Sequence, residues 1–340
     1  MMDLKDKLEL IKRNTQEIIT EEELVELLKT KNKPVMYIGT AITGAPHISY
    51  FLWCMKCADF LKAGFKVKIL LADLHGALDN TPWPVLEKRY NYYKMVIPLI
   101  FKSIDVDTKN LEFVKGSDFQ MQKKYFFDVL KFSTFVTVED CRKAASEVVK
   151  LGEHPKLAGL IYPIMQSLDE EYLGVDLQYG GLDQRKILVF ARENLTKIGY
   201  KSRVELMTPI IPGLNGKKMS ASDPKSKIDL LDDEEEVDRK VLEAFCEAGK
   251  IEDNGVLAFL KYVIFTIKKD NKETFILERD KRYGGDIKYK TYDELESNYI
   301  SNKVHPLDLK KSLAREINLL LKPFRDQREN LKKLAKDAYS

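Results

Sequence analysis

The reading of the fold turns on one stretch: Pro34-Val-Met-Tyr-Ile38, Gly39-Thr-Ala-Ile-Thr-Gly-Ala-Pro46, His47-Ile-Ser-Tyr-Phe51 onward to Gly64, then Phe65-Lys-Val-Lys-Ile-Leu-Leu-Ala72. Its first piece is a short apolar run, predicted to be a strand. A loop of small residues follows, and then a helix predicted from about His47 to Ala63. Pro46 suits the first turn of that helix and Gly64 its end. The last piece is β-branched and apolar enough for a buried strand. Strand, helix, strand in this order is the opening unit of a parallel α/β sheet.

The alternation continues C-terminally. The pattern predicts a helix near 84–103, a strand at Leu111–Lys115, helices through about 119–150 and a helix from Pro155 to Leu173. A short strand at Val175–Gln178, a helix from the Asp183 region and a strand at Arg203–Met207 follow. Residues 209–232 are punctuated by Gly and Pro and have no clear period, as in a long surface loop. Beyond about 233 the alternation stops and helices dominate. Upstream, Leu4, Leu8, Ile11, Ile18, Leu24 and Leu27 form a loose stripe that reads residues 3–29 as helical. The expected organisation is an N-terminal helical segment (1–30), an α/β parallel-sheet domain with a helical insertion (31–232), and a mainly α-helical domain (233–340).

The 340 residues are 44% hydrophobic, 10% aromatic and 32% charged, a soluble globular composition with enough chain for a large core. With 56 basic and 53 acidic residues the net charge is +3, so any nucleic-acid surface must be a local patch. No apolar run approaches the ~20 residues of a spanning helix. The charged start MMDLKDKLELIKRNTQ is unlike a signal or transit peptide. Together with four cysteines this leads us to expect reduced thiols, a cytoplasmic protein and no membrane. The run Asp232-Asp-Glu-Glu-Glu236 fits the opening of a helix. The segment Lys310–Ser340, with nine basic and four acidic residues, reads equally as a solvated face or an RNA contact.

No GxGxxG occurs, and Gly213-Leu-Asn-Gly216-Lys217-Lys218 has the wrong spacing for a P-loop. His47, His75, His154 and His305 show no metal-ligand spacing. Cys54 and Cys57 fall too far into their helix for its dipole to activate a thiol. What remains is the small-residue loop before His47, where phosphates can approach the backbone, and Lys217-Lys218-Met219-Ser220-Ala221-Ser222, where ammonium and hydroxyl groups converge. Tyr162, Gln166 and Asp169 stand at i, i+4 and i+7, on one face of an otherwise apolar helix. They form either a buried polar network or a pocket wall, because unpaired burial costs on the order of 1–3 kcal/mol per group. Two glycines at 180 and 181 let a ligand ring approach the backbone. Asp183 then fits either a ribose acceptor or a plain helix cap.

In combination these residues resemble a family. Tyr37 to Ile48 resembles the HIGH region of class I aminoacyl-tRNA synthetases, and Lys217-Lys-Met-Ser-Ala-Ser222 resembles their KMSKS loop. Tyr162-Pro-Ile-Met-Gln166-Ser-Leu-Asp169 and Gly180-Gly-Leu-Asp-Gln-Arg-Lys186 resemble tyrosyl-tRNA synthetases of the archaeal and eukaryotic type. Arg282-Tyr-Gly-Gly285 and His305-Pro-Leu-Asp308 resemble that group's anticodon-binding domain. The likeness covers about residues 30–325. Two departures stand out: Ser49-Tyr50 occupy the place of Gly-His, and Ala221 stands where a second lysine belongs, so Lys217 or Lys218 has to supply the charge.

The resemblance implies a Rossmann-type catalytic domain followed by an anticodon-binding domain, and a two-step ligation of tyrosine to tRNA(Tyr) with ATP and Mg2+ but no protein-held metal. It implies that Tyr37 and Asp169 bond the substrate phenol, with Tyr162, Gln166 and Gln184 at its ammonium and carboxylate and Ala72, His75 and Phe119 lining the pocket. Gly39, Thr40, Gly44, His47, Lys217, Lys218, Met219 and Ser220 are implied at the phosphates, and Gly181 and Asp183 at adenine and ribose. Arg142, Lys143, Arg185 and Lys186 are implied at the acceptor stem, and Tyr283, His305 and Asp308 at the anticodon. A homodimer is the implied assembly. Two alternatives stay open: a tryptophanyl-tRNA synthetase, and a catalytically silent synthetase-like RNA-binding protein.

Overall fold

The computed structural model describes residues 2–217 and 226–340. A six-stranded sheet carries β1 (Glu17–Ile19), β2 (Val35–Ala41), β3 (Lys66–Ala72), β4 (Leu111–Lys115), β5 (Leu177–Gly181) and β6 (Val204–Thr208) in the spatial order β1-β6-β5-β2-β3-β4. Five strands are parallel, and only β1 runs antiparallel, against β6. Tyr37 of β2 lies between Lys68 of β3 and Gln178 of β5, so β2 is the middle of the sheet. In β3, every residue from Ile69 to Ala72 is buried, as expected where helices cover both faces.

The α/β reading holds, with local differences. The predicted helix 3–29 is two helices, Leu4–Lys12 and Glu21–Thr30, separated by β1. Asn14 takes a left-handed conformation (φ 55°) that ends the first helix, and Gln16 then donates to the Met207 carbonyl at 2.8 Å, which starts the edge pairing. The strand predicted at Val175–Gln178 begins at Leu177, because Asp176 is occupied as a cap: its carboxylate accepts from the Val35 amide at 2.8 Å and from Lys31. The helices predicted through about 119–150 are three short ones, Gly116–Gln120, Lys123–Ser133 and Val138–Ala145. The helix predicted from His47 begins at Tyr50, so His47 belongs to the preceding turn. Cys54 and Cys57 within it are fully buried, and burial pushes both thiols up, away from the reactive thiolate.

After residue 233 the described residues form helices and one two-stranded ribbon, β7 (Phe275–Leu277) with β8 (Ile287–Tyr289). Asp233 caps Glu234–Glu243 by accepting from the Glu236 amide at 3.0 Å, as the acidic run suggested. Three segments meet at Arg13. Its Nε donates to Asp59 at 2.9 Å and its Nη2 to Asp270 at 2.8 Å, joining the first helix to Tyr50–Lys62 and Phe265–Asp270. A second junction is Arg89, on the helix Leu86–Ser103. It donates to the carbonyls of Ile42 and Thr43 on one side and to that of Ala338 on the other, with its guanidinium 4.9 Å over the Tyr339 ring. Among the described residues, no helix is long and apolar enough to cross a membrane.

Candidate active site

The strand order reverses at β2: the chain runs out through β3 and β4, then returns to β5 and β6 on the other side. Crevices for ligands form at such a switch point, outside the carboxyl ends of the strands. A cavity of about 380 Å³ lies there. It is lined by Gly39, Thr40 and Ala41 from β2, Ala72 from β3, Asp183 and Gln184 after β5, and Tyr162, Gln166 and Asp169 from the helix Leu157–Tyr172.

At its floor, Asp169 is 1% exposed. One carboxylate oxygen, Oδ1, accepts from Gln120 Nε2 and from the Tyr125 hydroxyl, both at 2.8 Å. The other, Oδ2, has no hydrogen-bond partner and lies 3.7 Å from Nε2 of His75, which also has none. Burial pushes Asp169 up to about 8 against the pull of Gln120 and Tyr125, and pushes His75 down to about 4. The imidazole is therefore neutral at pH 7. Two unpaired buried polar atoms side by side define a place for one hydroxyl, which can donate to one and meet the other. The Tyr37 hydroxyl donates to the Gln166 carbonyl at 3.2 Å, and burial raises its pKa. Gln166 Nε2 donates to Gln184 Oε1 at 3.2 Å, so these amides cross the cavity wall as a pair.

The upper part is backbone-rich: Thr40, Thr43, Gly44 and Ala45 lead to His47. This loop is held from behind. Tyr93 donates to the Gly44 carbonyl, Tyr50 and Tyr93 hydroxyls stand 3.1 Å apart, and Arg89 holds the two preceding carbonyls. His47 Nδ1 lies 3.0 Å from Ser49 Oγ. Burial first, and the charge of Lys227 second, bring its pKa to about 4 against the opposing field of Asp229, so it too is neutral. The lining holds three carboxylates, Asp79, Asp169 and Asp183, and no lysine or arginine among the described residues.

The cavity thus gathers Tyr37, Gly39, Thr40, Gly44, His47, Ala72, His75, Tyr162, Gln166, Asp169, Asp183 and Gln184, all expected there. Phe119 is not in the lining; it packs edge-on against Tyr125, 5.8 Å between ring centroids, and so supports the floor indirectly. The glycines at 180 and 181 are also required by the chain's own packing. A Cβ at Gly181 would come within 2.6 Å of Asp183 Oδ1, and one at Gly180 within 2.9 Å of Gln184 Cβ. Their missing side chains make room for these two polar residues. Lys217 is exposed and outside the lining, its amide donating to Asn215 Oδ1 at 3.1 Å. Lys218, Met219 and Ser220 lie outside the described residues.

Lys143, Arg185 and Lys186 share a surface groove, and Arg142 with Lys143 line a second, wider one along Glu139–Gly152. Arg185 pairs with Glu17 at 2.7 Å, Lys186 with Glu147 at 2.7 Å and Arg142 with Glu139 at 3.0 Å. In the helical part, Tyr283 is 70% exposed. His305 caps the helix Pro306–Leu320, accepting from the Leu307 amide at 3.1 Å, and Asp308 lies in that helix's first turn. The ribbon bearing Tyr283 is tied to the same helix by the Glu278 amide, which donates to Ser312 Oγ at 2.9 Å.

Asp79 and Tyr50 line the cavity and Gln120 and Tyr125 hold its floor, yet sequence reasoning found none of the four. Gln120 and Tyr125 sit more than 40 residues from Asp169, on short helices with no polar pattern of their own. Asp79 carried one usable signal, a carboxylate closing the short helix that bears His75.

A family model described as class I tRNA synthetases (W and Y) matches residues 29–322. A cytoplasmic tyrosine–tRNA ligase of Danio rerio is 49% identical over 98% of this chain, and a tyrosine–tRNA ligase of Haloarcula marismortui is 42% identical over 99%. The chain spans 63% of the length of the first relative and 98% of the second. The crystal structure of tyrosyl-tRNA synthetase complexed with L-tyrosine from Archaeoglobus fulgidus superposes with a TM-score of 0.89 at 40% identity, over 96% of this chain and all of that one. With fold, family model and relatives covered over most of their length in agreement, the chain belongs to the class I tRNA synthetases of the tryptophan and tyrosine type, and within them to the family of the archaeal and eukaryotic tyrosyl-tRNA synthetases.

Proposed function

We propose that the protein is a tyrosine–tRNA ligase that activates tyrosine with ATP and transfers it to tRNA(Tyr). The observation that carries this reading is the unpaired Asp169 Oδ2 beside the unpaired His75 Nε2 at the floor of the cavity. A phenol reaching down between Tyr37 and Asp169 donates its proton to Oδ2. An indole N–H lacks the acceptor lone pairs that would meet a second donor there, so the floor suits a hydroxyl better. Tyr162, Gln166 and Gln184 hold the ammonium and carboxylate end, and Asp79, beside Tyr162 in the lining, adds a negative charge for the ammonium.

In the first step a tyrosine carboxylate oxygen attacks the α-phosphorus of ATP, the bond to the bridging oxygen breaks, and pyrophosphate leaves. In the second, the terminal adenosine hydroxyl of tRNA attacks the carbonyl carbon and AMP leaves. No protein nucleophile takes part. The chain's contribution is positioning and stabilisation of phosphate charge. Neutral His47 donates one N–H to a phosphate oxygen, the amides and hydroxyls of Gly39, Thr40 and Gly44 line its path, and Asp183 and Gly181 accept the nucleoside. Lys217, Lys218, Met219 and Ser220 are assigned to the phosphates by their motif. Magnesium arrives on the nucleotide.

For tRNA we assign Arg142, Lys143, Arg185 and Lys186 to the acceptor stem and Tyr283, His305 and Asp308 to the anticodon, with residues 233–340 as the anticodon-binding domain and 31–232 as the catalytic one. The exposure of Tyr283 supports a stacking role. A homodimer is supported by the exposed apolar side chains on and around the helix Lys123–Ser133: Met121, Phe126, Phe127, Leu130, Phe135 and Val138. A patch of that kind marks an interface. The relatives' cytoplasmic names support a cytoplasmic location.

The test is pyrophosphate exchange with each amino acid, then charging of total tRNA and identification of the charged species. Tyrosine-dependent exchange and charged tRNA(Tyr) are expected. Tryptophan dependence, or no exchange with any amino acid, would replace this reading with one of the two alternatives.

A further inference from the structure

A nucleotide's phosphates are a polyanion, and among the described residues no lysine or arginine lines the cavity. The motif lysines are one fewer than in the family pattern, since Ala221 stands where a second lysine belongs. One buried cation lies close behind the phosphate end. Lys227 is 6% exposed. Its segment is extended: Ile228 and Leu230 point into the core, which leaves Lys227 and Asp229 together on the opposite side. That side is pressed against the His47 turn, for the Ile48 amide donates to the Ile228 carbonyl at 3.0 Å and Asp229 bridges to His47. Lys227 Nζ donates to Asp229 Oδ1 at 2.9 Å, and the Asp229 side chain is 36% exposed.

Resting on the ligase reading, we propose that Lys227 is a positioning residue of the nucleotide end: from behind His47 it adds to burial in favouring the neutral N–H donor form of the imidazole, and it places a positive charge beside the phosphates in addition to the motif lysines. An ammonium near His47 disfavours the imidazolium and favours phosphate by the same field, and burial limits its screening. Asp229 fixes the ammonium in place and offsets only part of its charge, because its own carboxylate reaches solvent. The groups facing His47 are Lys227 and Asp229 from this segment, Ser49 at Nδ1, and the Tyr50 ring edge at 5.7 Å between centroids. With Ser49 Oγ–H donating to Nδ1, the proton stays on Nε2. The lysine thus acts through its neighbour and does not need to contact substrate.

The experiment compares wild type, Lys227→Met and Lys227→Arg. In tyrosine-dependent pyrophosphate exchange, Lys227→Met is expected to lower kcat/KM for ATP roughly ten- to a hundredfold, with KM for tyrosine unchanged within about twofold and Lys227→Arg recovering most of the loss. In a histidine-labelled NMR titration, with only four histidines to resolve, the His47 midpoint rises in the methionine variant from its value near 4. Unchanged ATP kinetics in a folded Lys227→Met protein overturns the proposal. So does a parallel loss for ATP and tyrosine with a lowered melting temperature, since that describes a structural ion pair. If wild type exchanges with no amino acid, the ligase reading falls on its own. Calorimetric ATP binding then decides about Lys227: weaker binding in the methionine variant supports it, and equal binding refutes it.

Discussion

On the proposed ligase reading, tyrosine binding should release a proton, and the site says at which pH. Burial holds Asp169 at about 8 in the free protein, although Gln120 and Tyr125 stabilise its charge through Oδ1. A phenol donating to Oδ2 adds a third hydrogen bond to the ionised form and lowers the pKa in the complex. The ligand therefore prefers the deprotonated protein. Affinity should level off about one unit above pH 8 and fall as pH drops through it, by up to a factor of ten per unit. Between pH 8.5 and pH 6 the loss is about 75-fold, or about 2.6 kcal/mol at 1.36 kcal/mol per unit. The substrate's ammonium stays largely charged over this range. Calorimetry at pH 6, 7, 8 and 8.5, in two buffers of different ionisation enthalpy, reads both quantities. At pH 7 about 0.9 proton should be released per tyrosine bound. Asp169→Asn should abolish the release and flatten the profile. If wild-type affinity is the same at pH 6 and 8.5 and heats are independent of buffer, Asp169 is a neutral carboxylic acid that donates to the phenol oxygen, and the assignment of roles at the floor is reversed.

Three further outcomes are expected. Glu170 and Glu205 are fully buried, all four of their carboxylate oxygens lack partners, and burial raises both pKa values. A raised folded-state pKa gives stability that is complete below the unfolded value and lost as pH rises through the folded one, so Glu205→Gln should raise stability at pH 8 by on the order of 1–3 kcal/mol and by almost nothing near pH 4; denaturant titrations at both pH values check the sign. Phe127, 65% exposed, sits in the apolar face proposed for self-association; Phe127→Glu should leave the monomer fold intact by circular dichroism and shift sedimentation to monomer at micromolar concentration. At Gly255 an added Cβ would lie 2.3 Å from the Gly213 carbonyl oxygen; Gly255→Ala should cost about 1–3 kcal/mol, displace the turn that leads to Lys217, and show as a lower melting temperature with weakened ATP binding.

The parallel sheet was legible because its strands are apolar runs bounded by Gly, Pro and Asn, and Leu111–Lys115 falls where the pattern put it. The edge strand Glu17–Ile19 was not, since three residues between two amphipathic helices have no period of their own and pair only because Met207 is presented to them. The same division runs through the site. Tyr162, Gln166 and Asp169 share one helix, so spacing alone aligned them. Gln120, Tyr125, Asp79 and Lys227 reach the cavity or its walls from four separate segments, and only the folded chain brings them near. His47 lies between. Its place at the end of a phosphate-sized loop was readable, but the helix start at Tyr50 was missed because Pro46 looked like a first-turn proline.

Arg89 gives the molecule a mechanical property. One guanidinium grips the rim of the cavity at Ile42 and Thr43 and the last helical turn at Ala338 and Tyr339, so two regions nearly 300 residues apart share a single rivet. Pulling that turn away, by mild denaturant or by a partner that competes for Tyr339, loosens the rim while the strands beneath stay paired. Catalytic silence should therefore arrive ahead of any change in the far-ultraviolet spectrum.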